Sequence, residues 1–398
     1  MLTSLALIFI VGLAMGAICQ RLKLPRIIGM LATGIVLGPY VLDLFDPSIL
    51  SISADLRKIA LIIILIKAGL SLDLKDLKKS GRSAVLLSFV PASFEIIGYI
   101  LCAPVILGIN RIEAAVMGAV LGAVSPAVVP RMVNLIEKKY GTDKAIPQMI
   151  LAGASCDDIF VIVLFTTFLS MAQGGSAHVM DFVNIPISIV LGVLLGVDVG
   201  YGLYLFFETS YARKHCVRNS MKVIIVLGFS FLLIAIEGWL EGKVSVSGLL
   251  AVVAMACVLK LKCPESVSGR LSQKFGKLWL AAEVILFVLV GAAVDIRYTL
   301  AAGLPALLMI FVALAFRTVG VLICVAHTSL TWKERLFCVI AYLPKATVQA
   351  AIGSVPLAAG LACGNIVLSV AVLAIVVTAP LGAIGIDETY KHLLSEDK

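Results

Sequence analysis

Charge is scarce in this chain of 398 residues: Asp, Glu, Lys and Arg make up 14% of it, whereas soluble domains carry about 25%. Apolar residues account for 61% and the mean hydropathy is +1.09. A soluble fold is excluded, because so few charged side chains cannot cover so much apolar surface. Other absences narrow the reading. No Cys-x-x-Cys spacing occurs among the nine cysteines, which fall mostly inside apolar runs, so they read as small buried hydrophobes and not as disulfides or metal ligands. The four histidines are scattered and suggest neither a zinc nor a haem site. A phosphate-cradling GxxxxGK[ST] loop is missing, and with it any sign of ATP drive. No arginine series of the voltage-sensor kind appears. Residues Met1 to Ser4 carry no Lys or Arg, and the basic cluster follows the first apolar run, the reverse of a signal peptide, so that run is expected to stay as a helix.

Long hydrophobic runs are what the sequence has. A membrane-spanning helix takes roughly 20 apolar residues. Charged punctuation separates thirteen runs, at roughly 2–19, 26–43, 57–72, 82–108, 112–136, 146–171, 183–207, 220–236, 244–260, 277–294, 300–326, 334–355 and 364–385. They use up the length and leave no room for a sizeable soluble domain. The expectation is one all-α polytopic membrane domain over residues 1–398 with about 13 transmembrane helices. The loops after odd-numbered runs, with the tail, hold 24 Lys and Arg, and those after even-numbered runs hold 5. The positive-inside rule then puts the N-terminus outside and the C-terminus in the cytoplasm. It also explains the net charge of +8 without a nucleic-acid partner.

With the charged residues near the run ends counted to the loops, three basic residues remain inside the runs (Lys67, Arg317 and Lys345), as do the acidic Glu95, Asp157, Asp158 and Asp198. A charge at mid-bilayer costs at least ~2.5–3.5 kcal/mol on insertion scales, so such groups face cavities, pair, or mark an ion path. Asp157 and Asp158 lie about 16 Å into the run that starts near Ile146, at the level of the midplane. Adjacent carboxylates repel at low dielectric, which suits one of them to exchange a proton. Ionised, such a carboxylate is a hard oxygen ligand for Na⁺ or Li⁺. The alternative is a strut of buried ion pairs, an expensive use of two acids.

Ser125-Pro126 and Pro130 stand midway along another run, where two prolines remove backbone donors and free carbonyls upstream. Pro344-Lys345 stands midway along a third run. Unwound backbone at that depth is tolerated where it lines a cavity. The first site could also be a simple proline kink, and Lys345 at the second a side chain snorkelling to an interface. Lys345 needs a counter-ion, and the Asp pair is the expected one. The two interrupted runs point in opposite directions, the mark of an inverted repeat in which half-helix ends offer dipole poles to an ion. Glu95 and Arg317 occupy comparable places in the two halves and are expected to pair as a structural or gating bridge. Lys67 lies near the end of its run and reads as snorkelling; Asp198 has no evident partner. The glycines at 29, 34 and 38 allow close helix packing.

The Ala154-Ser155-Cys156-Asp157-Asp158 segment resembles the double-Asp motif of the electrogenic branch of the cation:proton antiporter superfamily. Ser125-Pro126-Ala127-Val128-Val129 and Pro344-Lys345-Ala346-Thr347-Val348-Gln349-Ala350-Ala351 are more similar still to its NHA-type sodium/proton antiporters, the sodium/hydrogen exchanger 9B subfamily and bacterial relatives. The basic residue before Ala68-Gly69-Leu70 and the Glu95/Arg317 pair also resemble that group. The resemblance covers about residues 26–385. The chain has Ser125 where many members of the superfamily carry Thr-Asp, one acid fewer.

The resemblance implies two crossed interrupted helices and a homodimer. A mobile core would take about 82–171 and 300–385, and a dimerising scaffold about 1–72 and 183–294. It implies Na⁺(Li⁺)/H⁺ antiport in which Asp158 binds the cation and carries the proton. Asp157 would bridge to Lys345 when no cation is bound, and Ser125 with freed carbonyls would complete the oxygen shell. The partners are then lipid, Na⁺ or Li⁺ and protons; no cofactor and no enzymatic step are expected. The long cytoplasmic tails of animal exchangers are not seen, which points to a bacterial inner-membrane protein serving pH homeostasis. The alternatives are a sodium-coupled symporter of an organic anion on a similar scaffold, and a cation channel, against which the lack of a filter-like repeat counts.

Overall fold

The computed structural model describes residues 1–22, 24–71, 81–125, 128–173, 179–214, 219–240, 246–297 and 303–396. All regular elements among them are helices; the one β contact is an isolated bridge between Tyr140 and Glu396. Among the described residues eight helices are long and apolar enough to cross a membrane: Leu2–Arg21, Gly81–Ile106, Ile146–Gln173, Val190–Thr209, Ser220–Leu240, Glu265–Ala292, Gly303–Val325 and Gly364–Leu393. The other expected runs also form helix, but each falls short for a physical reason. Arg26–Leu37 and Gly248–Lys262 have 12 and 15 residues. Ser53–Ser71 carries Asp55, Arg57, Lys58 and Lys67. The runs at 112–136 and 334–355 are broken into Arg111–Leu121 with Val128–Glu137, and Trp332–Ala341 with Thr347–Gly353.

The chain forms two compact units, 1–57 with 73–173 and 284–398, and 58–72 with 174–283. In the first, Arg26–Leu37 packs on Leu2–Arg21, and a Cβ on Gly29 or Gly34 would overlap the carbonyls of Met15 or Val288. The expected glycine packing is therefore a contact within the chain. Val90–Ile106 lies along Gly303–Val325, with Gly98 against Phe316 and Gly320 against Pro91. That pairing sets Glu95 and Arg317 on facing helices.

In the second unit, Val179–Lys214 packs on Gly248–Lys262. Gly192, Gly196 and Gly200 follow one another at four-residue steps and meet the carbonyls of Ser247, Ala251 and Met255 at the same step, so the backbones touch with no side chain between. Lys67 belongs here, its ammonium 5.9 Å from the Trp279 ring centroid, and Asp198 is exposed.

Candidate functional site

Each interrupted helix starts with a reciprocal cap. Asn110 accepts from the Glu113 N–H and Glu113 from the Asn110 N–H, both at 2.9 Å. Thr331 and Glu334 repeat the arrangement, and Lys144 donates to both Glu334 carboxylate oxygens at 2.8–2.9 Å. These caps satisfy N–H groups that the first turn leaves free. The first half-helix ends at Leu121 and the chain resumes helix at Val128. Pro126 lies outside the described residues. Pro130 sits in the first turn of the second half, where its missing N–H costs no helical bond. Pro344 lies inside the second break, at residues 342–346.

The two breaks meet. The Ser125 N–H donates to the Pro344 carbonyl at 2.9 Å. Gln349 accepts from the Ala346 N–H and donates to the Ala123 carbonyl, both at 2.8 Å. The Lys345 ammonium donates to the Leu121 carbonyl at 2.5 Å and to that of Ala123 at 3.4 Å, and its N–H donates to Thr378 Oγ1 at 2.9 Å. Arg317 donates to the carbonyls of Gly122 and Tyr342 at 2.6 and 2.7 Å. Two cations thus cap the negative end of the first half-helix, where its carbonyls have lost their helical partners. The freed carbonyls expected to complete a cation's oxygen shell are taken here by Lys345, Arg317 and Gln349.

The structure pairs Glu95 with Arg317 at 2.5 Å. It also corrects the expected partner of Lys345. The ammonium lies 2.6 Å from the same Glu95 oxygen, Oε2, and the anticipated bridge to Asp157 is not formed. Asp157 turns away: its Oδ2 accepts from the Val124 N–H at 2.7 Å and stands 3.5 Å from Arg317 Nη2. Glu95 reaches the lysine because its helix packs along the Arg317 helix, which sets its carboxylate beside both cations at the break. Glu95, Asp157, Arg317, Lys345 and Ser125 are all buried. Asp158 is 9% exposed, makes no ion pair among the described residues, and leaves Oδ1 without a hydrogen bond.

Two residues of this site escaped sequence reasoning. Gln349 carried a signal, a polar amide in an apolar run at the third position after a proline break. Tyr342, fully buried with its ring 5.7 Å from the Arg317 guanidinium, carried none.

Comparison with known proteins meets this geometry. The family described as sodium/hydrogen exchanger, transmembrane, matches residues 5–391. The chain belongs to the sodium/hydrogen exchanger family. It is similar to human sodium/hydrogen exchanger 9B2, 33% identical over 375 residues that cover 91% of this chain and 68% of that one. The Xenopus tropicalis 9B2 exchanger is 32% identical over 413 residues, 99% of this chain and 75% of its own. Among solved structures, the sodium proton antiporter MjNhaP1 of Methanocaldococcus jannaschii superposes with a TM-score of 0.79 over 96% of this chain and 95% of its own. At 20% identity that likeness speaks for the fold. The protein is a multi-pass all-α membrane protein of this exchanger fold.

Proposed function

We propose that this protein is a secondary active antiporter that exchanges Na⁺ or Li⁺ for protons. The human and frog relatives are named sodium/hydrogen exchangers, transporters and not enzymes. The observation that carries the reading to a site is the contrast between the two acids. Asp157 is tied to Val124 and Arg317, while Asp158 has no counter-charge within the described residues. In this mechanism Asp158 binds the cation and, emptied of it, carries the proton. Cation and proton compete for one carboxylate, so exchange needs no separate coupling device. Ser125 and the second carboxylate lend oxygens to the cation. Lys345 and Arg317 stay paired with Glu95 and keep the breaks in register.

Alternating access moves this site between the two sides. By family resemblance the mobile core is about 82–171 and 300–385, the scaffold about 1–72 and 183–294, and the working form a homodimer. No cofactor enters the cycle. The basic-residue count supports an outside N-terminus and a cytoplasmic C-terminus. Placement in a bacterial inner membrane, with a role in pH homeostasis, rests on the sequence resemblance alone, since the relatives compared above are animal proteins.

The test is a pH-dye assay in sealed proteoliposomes with pulses of Na⁺, Li⁺ and K⁺. A Na⁺- or Li⁺-evoked lumenal pH change that is abolished in Asp158→Asn is the expected result. Normal exchange by folded Asp158→Asn would remove Asp158 from its role. No response of the wild type to any cation would overturn the antiport reading.

A further inference from the structure

Three buried polar atoms beside the break have no hydrogen-bond partner: Asp157 Oδ1, Arg317 Nη2 and the Tyr342 hydroxyl. They come from two helices and the second break, and they converge. Arg317 Nη2 stands 3.5 Å from the other Asp157 oxygen. Arg317 Nε donates to the Tyr342 carbonyl at 2.7 Å, and the guanidinium carbon lies 5.7 Å from the Tyr342 ring centroid. The Tyr342 hydroxyl rests on Gly153, so close that a Cβ there would overlap it. Gly153 precedes Asp157 by one helical turn, and helical side chains lean over the turn N-terminal to their own Cα. The carboxylate and the phenol therefore cover the same patch of the Ile146–Gln173 helix.

The chemistry of the three atoms selects what joins them. A guanidinium N–H donates, a carboxylate oxygen accepts, and a phenol does either. A cation is repelled by Arg317 at this point and an anion by Asp157. A neutral group that both donates and accepts, small enough for a packed interior, suits all three. We propose that Asp157, Arg317 and Tyr342 form the site of one buried water molecule, through which Tyr342 acts as a positioning residue for Asp157. The carboxylate is then held at both oxygens, Oδ2 by the Val124 N–H and Oδ1 by the water. Its plane is fixed beside Asp158 before a cation arrives, which spares the ordering cost on binding. This deepens the antiport reading, and its consequence for transport rests on that reading.

Tyr342→Phe tests it, because it removes one oxygen and keeps the ring over Arg317. At one fixed pH, the apparent KM for Na⁺ should rise about fivefold, the loss of one hydrogen bond, with the maximal rate within about twofold. Gly153→Ala, which drives the hydroxyl off its seat, should raise KM in the same way. An unchanged KM in Tyr342→Phe, or a fall confined to the maximal rate, would overturn the positioning role. An independent arm needs no transport: a wild-type map fine enough for ordered waters should show density within about 3.2 Å of all three atoms. Direct contact between hydroxyl and carboxylate, or no density there, would overturn the water site. If the wild type moves no protons, the antiport reading fails by itself and the map still decides the site; the map decides equally if the variants do not fold.

Discussion

Glu95 accepts from both Arg317 and Lys345 through a single oxygen. Removing its charge leaves two buried cations to share Asp157, and breaking a buried pair from one side costs about 3–5 kcal/mol. Glu95→Gln should therefore lower the thermal unfolding midpoint in detergent well below wild type. Adding Lys345→Met should restore part of the loss, because the second variant removes the cation that the first left uncompensated; a purely additive cycle would contradict the shared-oxygen geometry. The paired aspartates were legible at this scale, since their adjacency in an apolar run is a local signal. The partner of Lys345 was not. Glu95 is 250 residues away from it, and local spacing cannot rank one buried carboxylate over another at that separation.

The two interrupted helices show what each element owes to its ends. The Asn110 cap sits at an exposed start, so Asn110→Ala should cost about 1 kcal/mol in thermal or denaturant unfolding. Gln349→Leu should cost more, about 2–4 kcal/mol, because it strands the Ala346 N–H in the interior and leaves the Ala123 carbonyl only its long 3.4 Å bond from Lys345. If the two variants prove equally stable, the amide does not tie the breaks together. The breaks themselves were legible, because proline in an apolar run removes a donor wherever it falls. Which proline breaks the helix was less so. Pro130 counts toward the sequence pattern, yet it lies in the first turn after the break, where proline is tolerated. Gln349 shows the converse: a capping position has meaning only once the start of the half-helix is known.

At the scale of the whole molecule, hydropathy located the apolar runs, and each forms helix across most of its described length. It could not tell a crossing from a half-crossing. Hydropathy weighs side chains, whereas the breaks, described at 122–125 and 342–346, are backbone events satisfied in part by partners more than 190 residues away. The proposal of a homodimer is checked by native mass spectrometry from gentle detergent, which should show a species of twice 42.1 kDa. A monomer alone under conditions that preserve exchange would count against it. The four paired groups have a further consequence. Glu95, Asp157, Arg317 and Lys345, all ionised, sum to zero. A transmembrane voltage exerts no net force on such a quartet, whatever distance it travels as a unit. Of the site's charged groups Asp158 is then left to feel the field, and it is neutral both with a proton and with a monovalent cation. With Asp158 as the single carrier, the turnover rate under valinomycin should be indifferent to the clamped potential, so that the chemical gradients alone, and not the voltage, set where exchange comes to rest.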